Sequence, residues 1–202
     1  MIEALGSATQ RYAKSHWGQQ RMCIRMSLKS LPKINLWRLN LTALFCLLFL
    51  SGVHAETSIC FTPSEKFLPL VVREIDAAQS RVWLQGYYLT SKPIAHALVH
   101  AMNRGLDVQV ILDKSQEHTR HSQLGFLFEN AVPVFIDRKP AIAHNKIIII
   151  DDSTVMTGSY NWTDAAEHKN AENLLIIRDD PELFARYVEN FEIRKRASLN
   201  EP

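Results

Sequence analysis

Two short segments carry polar side chains whose spacing suits chemistry on a phosphodiester. His144 and Lys146 lie two residues apart just before a run of isoleucines, and Ser159 and Asn161 repeat that spacing further along the chain. Because residues two apart in a strand project to the same face, each pair presents its side chains together. If the segments are neighbours, an imidazole, an ammonium, a hydroxyl and an amide converge. Such a set supplies a nucleophile, a fixed cation and two donors for phosphate oxygens.

These residues belong to a longer pattern with fixed gaps, which reads His144-x-Lys146-x4-Asp151-x6-Gly158-Ser159-x-Asn161. At each defining position it resembles the HKD motif of the phospholipase D superfamily. The similarity is greatest to the small single-motif bacterial nucleases of that superfamily, and it extends over about residues 81–196. The resemblance implies a phosphodiesterase that works through a phosphohistidine intermediate and needs no metal or other cofactor. In that chemistry Lys146, Ser159 and Asn161 hold the phosphate oxygens.

Two carboxylates accompany the motif, and their predicted tasks differ. The resemblance places Glu172 where family members have a carboxylate that hydrogen-bonds the catalytic histidine, which would fix the ring tautomer and leave the other nitrogen free to attack phosphorus. A surface acid at a strand end is the alternative. Asp151 belongs to the catalytic set of the motif, but it lies an odd number of residues from Lys146 and just past the isoleucines. We therefore expect Asp151 to point away from the pocket and to support the structure.

One histidine cannot easily supply both steps of the reaction. Hydrolysis through a phosphohistidine needs one group to attack and another to protonate the departing oxygen. No second His-x-Lys pattern occurs among the other histidines after residue 55, which are His96, His100, His118, His121 and His168. Single-motif members of the family pair two chains. The resemblance thus implies a homodimer in which His144 of one subunit is the nucleophile and His144 of the other is the general acid.

Several other residues invite a functional reading. Arg138 and Lys139 precede the catalytic segment and are candidates to hold a polyanionic substrate, with an ordinary turn as the alternative. His96 and His100 have the spacing of a helical metal pair, but the apolar face of their helix turns both toward solvent, so no metal site is expected. Cys60 is expected to be a small buried hydrophobe, with an intersubunit disulfide as the alternative.

The remaining pattern indicates one domain. Short β-rich runs alternate with helical stretches from residue 56 to residue 202, which predicts an α/β domain with a central mixed, largely parallel sheet flanked by helices. Four consecutive isoleucines leave neither strand face polar, so their strand should be central and covered on both sides. The predicted strands are 81–88, 107–113, 132–137, 147–150, 154–159 and 172–178, and the predicted helices are 63–79, 93–104, a short one ending at 130, and 181–196.

The first 55 residues differ from the rest in charge. They carry seven Lys or Arg and one acid, a net +6 (7 − 1), whereas residues 56–202 carry sixteen and twenty, a net −4 (16 − 20). The basic part leads into an apolar run at residues 41–50 and then into small residues ending at Ala55. This layout is typical of a signal peptide cleaved after Ala55. An uncleaved membrane anchor over residues 41–55 is the alternative.

Together these features predict an exported enzyme, periplasmic or secreted, that is an endonuclease of broad specificity acting on DNA, with RNA left open as a second substrate. Its expected partners are nucleic acid and a second copy of the chain. The alternative with the same chemistry is a phospholipid phosphodiesterase of the phospholipase D or cardiolipin hydrolase type, acting on membrane lipid. A nucleic-acid-binding module with little turnover is the alternative from another class. A start at Met22 or Met26 would shorten only the leader.

Overall fold

The computed structural model describes residues 55–199, so the predicted signal peptide before Ala55 lies outside the described residues. None of the helices in this range is long and apolar enough to cross a membrane. The strands are β1 (Glu56–Phe61), β2 (Arg81–Gly86), β3 (Asp107–Asp113), β4 (Val134–Asp137), β5 (Ile147–Ile150), β6 (Thr154–Gly158) and β7 (Asn173–Arg178). The α-helices are α1 (Phe67–Ala77), α2 (Lys92–Asn103), α3 (Leu124–Glu129), α4 (Asp164–His168) and α5 (Pro181–Leu199), and a 3-10 helix spans Lys114–Glu117.

The seven strands form one mixed sheet in the order β1-β7-β6-β5-β2-β3-β4. The predicted mixed sheet flanked by helices is confirmed, but the expectation that it is largely parallel is wrong. Only the β2–β3 and β3–β4 pairs are parallel, and the other four pairs are antiparallel. Strand direction depends on the connections between neighbouring strands. The crossovers through α2 and α3 make β2, β3 and β4 parallel, whereas the direct turn from β5 to β6 makes that pair antiparallel.

The isoleucine strand is central, as predicted. β5 lies between β2 and β6 and all four of its residues are buried. Ile148 and Ile150 pack into the larger core with α1 and α2 on one face, whereas Ile147 and Ile149 pack with Phe191 of α5 on the other. The segment with His144 and Lys146 therefore continues directly into a strand that is buried on both faces.

The predicted strands and helices from residue 81 onward are present with ends shifted by a few residues. The N-terminal part differs more. β1 was not predicted, and the helix expected over 63–79 begins only at Phe67, because the chain turns between β1 and α1. The first helical amides, Phe67 N and Leu68 N, donate to Glu167 Oε2 at 3.1 and 2.9 Å. The N-terminus of α1 is thus capped by a residue of α4 that is remote in sequence.

Candidate active site

The centre of the site is the pair His144 and Lys146, just before β5. His144 is exposed and Lys146 is only 5% exposed. Lys146 Nζ lies 3.0 Å from His144 Nδ1 and donates to the backbone oxygen of His144 at 2.7 Å. The extended backbone places both side chains together, as the sequence predicted, and the buried ammonium becomes a fixed cation beside an accessible imidazole.

Burial sets the electrostatics of Lys146. Loss of solvation lowers the pKa of the Lys146 ammonium below its ordinary value, and the negative charge of Glu172 opposes that shift. The aromatic ring of Tyr87 also lies against the pair, with its centroid 4.6 Å from that of His144 and 5.4 Å from Lys146 Nζ. The face of this ring therefore stabilises the ammonium in addition to the charge of Glu172.

Ser159 and Glu172 form the second half of the cluster. Ser159 Oγ donates to Glu172 Oε2 at 2.5 Å and accepts from Asn173 N at 3.0 Å. Gly158 makes this approach possible, because a Cβ at that position would lie 2.3 Å from the backbone oxygen of Asn173. The charge of Glu172 acts on Lys146 as well, and the two segments of the motif meet where β5 pairs with β6, with Ile147 opposite Thr157.

The predicted hydrogen bond between Glu172 and His144 is not formed in this structure, which corrects that assignment. Glu172 Oε1 accepts from Asn170 Nδ2 at 2.8 Å and its other oxygen is used by Ser159, while Lys146 occupies the Nδ1 side of His144. When the ammonium donates to Nδ1, a neutral imidazole keeps its proton on Nε2. That neutral tautomer has no lone pair on Nε2, and a general acid would have to be the imidazolium, in which both ring nitrogens carry protons. Attack from Nε2 requires the proton on Nδ1, and hence an acceptor on that side.

Asn161 is held between two fully buried aromatic residues. The hydroxyl of Tyr160 donates to Glu167 Oε2 at 3.0 Å, and Trp162 Nε1 donates to the backbone oxygen of Gln85 at 3.2 Å. Asn161 Oδ1 is buried without a hydrogen-bond partner among the described residues. An unpaired buried amide oxygen is costly, so this atom is available for a donor that the single chain does not supply.

Asp151 lies outside this cluster, at the far end of β5, which is about 13 Å long at roughly 3.3 Å per residue. Its carboxylate accepts from the backbone amides of Gln79 at 2.9 Å and Ser80 at 2.7 Å, and from the Ser80 hydroxyl at 3.0 Å. It therefore ties the turn after β5 to the connection between α1 and β2. The structure removes Asp151 from the catalytic set and places it where the spacing argument expected.

The predicted polyanion-binding pair, Arg138 and Lys139, lies on the surface directly after β4. Arg138 forms an ion pair with Glu117 of the 3-10 helix, and Lys139 is exposed. Both lie at the start of the loop that carries His144, and a role for them in substrate binding stays a prediction. His96 and His100 are exposed, as expected. Residues 55–199 contain no group of three or more His, Cys, Asp or Glu side chains placed to hold a metal ion.

The sequence did not single out a cavity beside the site. This cavity has a volume of about 530 Å³ and lies between α5 and the ends of β5 and β6. Most of its lining side chains are polar, and they comprise His144, Asn145, Lys146, Ile147, Thr157, Gly158, Leu183, Arg186, Tyr187 and Asn190. Such a volume is in the usual range for a small-ligand site. The helical spacing of 183, 186, 187 and 190 marks one face of α5, but only the fold reveals that this face borders the site.

Comparisons with known proteins agree with this geometry. The chain is 40% identical to a phospholipase D of Rickettsia conorii over 145 residues, 72% of each chain, and 33% identical to human mitochondrial cardiolipin hydrolase over 128 residues, 63% of this chain and 50% of the other. The crystal structure of Nuc from Salmonella typhimurium, a phospholipase D family member, covers 70% of this chain and 94% of its own, with 33% identity and a TM-score of 0.66. The sequence model described as "Cardiolipin synthase, PLD-like domain" matches residues 71–194, more than half of the chain. The chain belongs to the phospholipase D superfamily and is a hydrolase of phosphodiester bonds.

Proposed function

We propose that this protein is an exported, metal-independent endonuclease of broad specificity that cleaves DNA as a homodimer. The observation that carries the proposal is the arrangement of an exposed His144 beside a buried Lys146, with Ser159 and Glu172 joined in the same cluster. This set places a nucleophile beside a fixed positive charge, so phosphate oxygens can be stabilised by Lys146 without a divalent cation. The resemblance of the motif region to small bacterial nucleases favours nucleic acid as the substrate.

In the first step His144, as the neutral tautomer with its proton on Nδ1 and with no hydrogen bond from Lys146 to that nitrogen, forms a bond from Nε2 to phosphorus, and the bond from phosphorus to the leaving oxygen breaks. The leaving oxygen takes a proton from His144 of the partner subunit. In the second step that partner imidazole accepts a proton from water, and the resulting hydroxide displaces His144 from phosphorus. The products are a phosphate monoester and an alcohol, and both histidines return to their starting protonation states.

The homodimer is part of this proposal. The reaction needs a second histidine, and a second observation also favours a dimer: one face of the edge strand β1 carries solvent-exposed apolar side chains. Ile59 and Phe61 of β1 are 51% and 50% exposed, while Cys60 between them turns into the core. Exposed apolar side chains at alternate positions of an edge strand are typical of a surface covered by a partner.

Subunit mixing tests the shared site. Wild-type and His144→Asn chains, mixed in equal amounts and allowed to exchange subunits, should retain about one quarter of the wild-type activity, because only dimers with two intact histidines turn over. Retention of one half would show that each chain works alone. Light scattering of the mature chain should give the mass of a dimer, and an active monomer would contradict the shared site.

A phospholipid phosphodiesterase is the second candidate, and a specific observation favours it. Relatives with 38 to 40% identity are named phospholipase D. The cavity beside His144 supports the first candidate instead, since Lys146, Arg186 and Asn190 are among its lining side chains and suit a sugar-phosphate chain.

A substrate panel separates the candidates. The mature protein is incubated in excess EDTA with single-stranded DNA, duplex DNA, RNA and anionic phospholipid vesicles, each beside the His144→Asn variant. We expect cleavage of DNA that the variant loses. Turnover of phospholipid alone would replace the nuclease by the lipid enzyme, and loss of activity in EDTA would contradict the metal-free route. A variant as active as the wild type would refute every catalytic version, including a role for His144 as nucleophile.

Export rests on residues 1–55, whose basic and apolar segments have the order of a cleavable signal peptide. N-terminal sequencing of the protein recovered outside the cytoplasm should begin at Glu56. Recovery of the full-length chain with the membrane fraction would instead support an uncleaved anchor over residues 41–55.

A further inference from the structure

We propose that Asp113 is a positioning residue that fixes the loop carrying His144. Asp113 is the last residue of β3 and is 2% exposed. Its Oδ2 accepts from the backbone amide of Ala143 at 2.7 Å, and its Oδ1 accepts from the backbone amide of Ser115 at 2.8 Å. Ala143 directly precedes His144. The carboxylate is therefore the contact that joins the end of a sheet strand to the backbone of the catalytic loop.

The loop needs such a contact because it has no regular structure of its own. Residues 138–146 contain neither helix nor strand, yet they must present His144 with a fixed direction. The next residue after Asp113 supplies a second tie, since Lys114 Nζ donates to the backbone oxygen of Pro140 at 3.1 Å. Two consecutive residues at the end of β3 thus hold the loop at two points along its length.

A buried carboxylate fits this task better than a neutral acceptor. Burial opposes ionisation of Asp113, but the hydrogen bonds from the amides of Ala143 and Ser115 outweigh it and hold the pKa of the carboxyl below its usual value. The group is thus charged at neutral pH, and hydrogen bonds from amides to a charged acceptor are shorter and stronger than those to a neutral one.

The topology explains why this position is the anchor. β2 and β3 are parallel neighbours, with Gly86 opposite Leu112, so both strands end at the same edge of the sheet. Tyr87, directly after β2, lies against the imidazole of His144, and Asp113, directly after Leu112, holds the backbone before it. The ring and the backbone of the nucleophile are therefore positioned by two adjacent strand ends.

Kinetics on bis(4-nitrophenyl) phosphate tests the proposal whatever the natural substrate is. Displacing a reacting group by about 1 Å costs roughly 100-fold in rate, so Asp113→Ala should lower kcat about 30- to 100-fold and change KM less than about threefold. Asn at position 113 is neutral and has one acceptor oxygen, so it can accept from only one of the two amides. The Asp113→Asn variant should therefore lower kcat about tenfold. The pH dependence of kcat/KM should keep its apparent pKa values, because Asp113 transfers no proton.

The matched control is Asp151→Ala, which removes a carboxylate that also accepts from backbone amides but lies at the opposite end of β5. Both Ala variants should lose stability toward urea, whereas only the Asp113 variant should lose kcat per folded molecule. Equal kcat values for the two variants would overturn the proposal, as would a kcat for Asp113→Asn equal to that of the wild type. If Asp113→Ala does not fold, Asp113→Asn and Lys114→Ala carry the test, and each should lower kcat with little change in KM.

Discussion

Replacing Asp151 separates the structural part of the motif from its chemical part. We expect Asp151→Ala to reduce the free energy of unfolding while leaving kcat per folded molecule within about twofold of the wild type, because the carboxylate touches only the connection between α1 and β2 and the first residue of β2. Its oxygens accept from Gln79 N, Ser80 N and Ser80 Oγ at 2.7 to 3.0 Å. None of these groups belongs to the cluster of His144, Lys146, Ser159 and Glu172.

The magnitude follows from the hydrogen bonds and the backbone. A hydrogen bond to a charged acceptor contributes about 1.5–3 kcal/mol, and because this site is partly open to water, the loss is reduced. Asp151 also adopts a positive φ of 50°, a conformation that Asp and Asn tolerate and that costs Ala roughly 1 kcal/mol. The Ala variant should therefore lose about 2–4 kcal/mol. Asn keeps the backbone preference and one acceptor, and should lose about 1–2 kcal/mol.

The same residue predicts a dependence of stability on pH. Burial opposes ionisation, but hydrogen bonds from the amides of Ser80, Gln79 and Arg81 hold the pKa of Asp151 below its usual value in the folded state. A carboxyl whose pKa is lower in the folded state than in the unfolded state stabilises the fold at pH values above its unfolded-state pKa of about 3.9. That stabilisation is lost as the pH falls through the pKa of the folded state. The difference in stability between wild type and Asp151→Asn should be constant above about pH 5 and should shrink below about pH 4.

Urea unfolding between pH 3 and pH 7 measures both effects, and initial rates well below the unfolding midpoint give kcat per folded molecule. His144→Asn provides the opposite control, with lost activity and retained stability. The reasoning would be refuted if Asp151→Asn unfolded at the same urea concentration as the wild type but lost most of its kcat, since the carboxylate would then act in the chemistry.

Three further predictions concern the cluster itself. At high pH kcat/KM should decline as Lys146 loses its proton, and because burial lowers the pKa of Lys146, the midpoint of this decline should lie below the ordinary lysine pKa of about 10.4. The residual activity of Lys146→Arg should lack this decline, because arginine stays charged, and a pH–rate profile measures both variants. Gly158→Ala should destabilise the fold by about 2 kcal/mol or more and lower kcat at least tenfold, because its Cβ has no space. Gly125→Ala, whose Cβ would meet nothing within 4 Å in α3, should stabilise by about 0.5–1 kcal/mol, as urea unfolding of both variants would measure. Tyr87→Phe keeps the ring against the imidazole and should retain kcat within about twofold, whereas Tyr87→Ala should lower kcat about tenfold in a steady-state assay. Equal losses of kcat in the two variants would argue that the hydroxyl, not the ring, is needed.

Much of the fold followed from local pattern. The isoleucine run at 147–150 predicted a central buried strand, and the apolar patterns located every strand and the longer helices after residue 81, but not the 3-10 helix Lys114–Glu117 or the short helix α4. Strand direction did not follow, because pairing depends on which segments meet after the chain turns, and that information is spread over the whole sequence. β1 was missed for the same reason. Its six residues are a strand only because β7 offers a free edge.

The site divides in the same way. By itself the sequence determined which residues are the candidates for the chemistry, since the spacing of His144, Lys146, Ser159 and Asn161 is a property of neighbours along an extended chain. Tertiary structure alone decided the partners: Glu172 bonds Ser159 and not the imidazole, and Asp113 holds the loop through Ala143. Hydrogen bonds between segments far apart in sequence form only when packing brings their atoms within about 3 Å, and no local spacing encodes that distance.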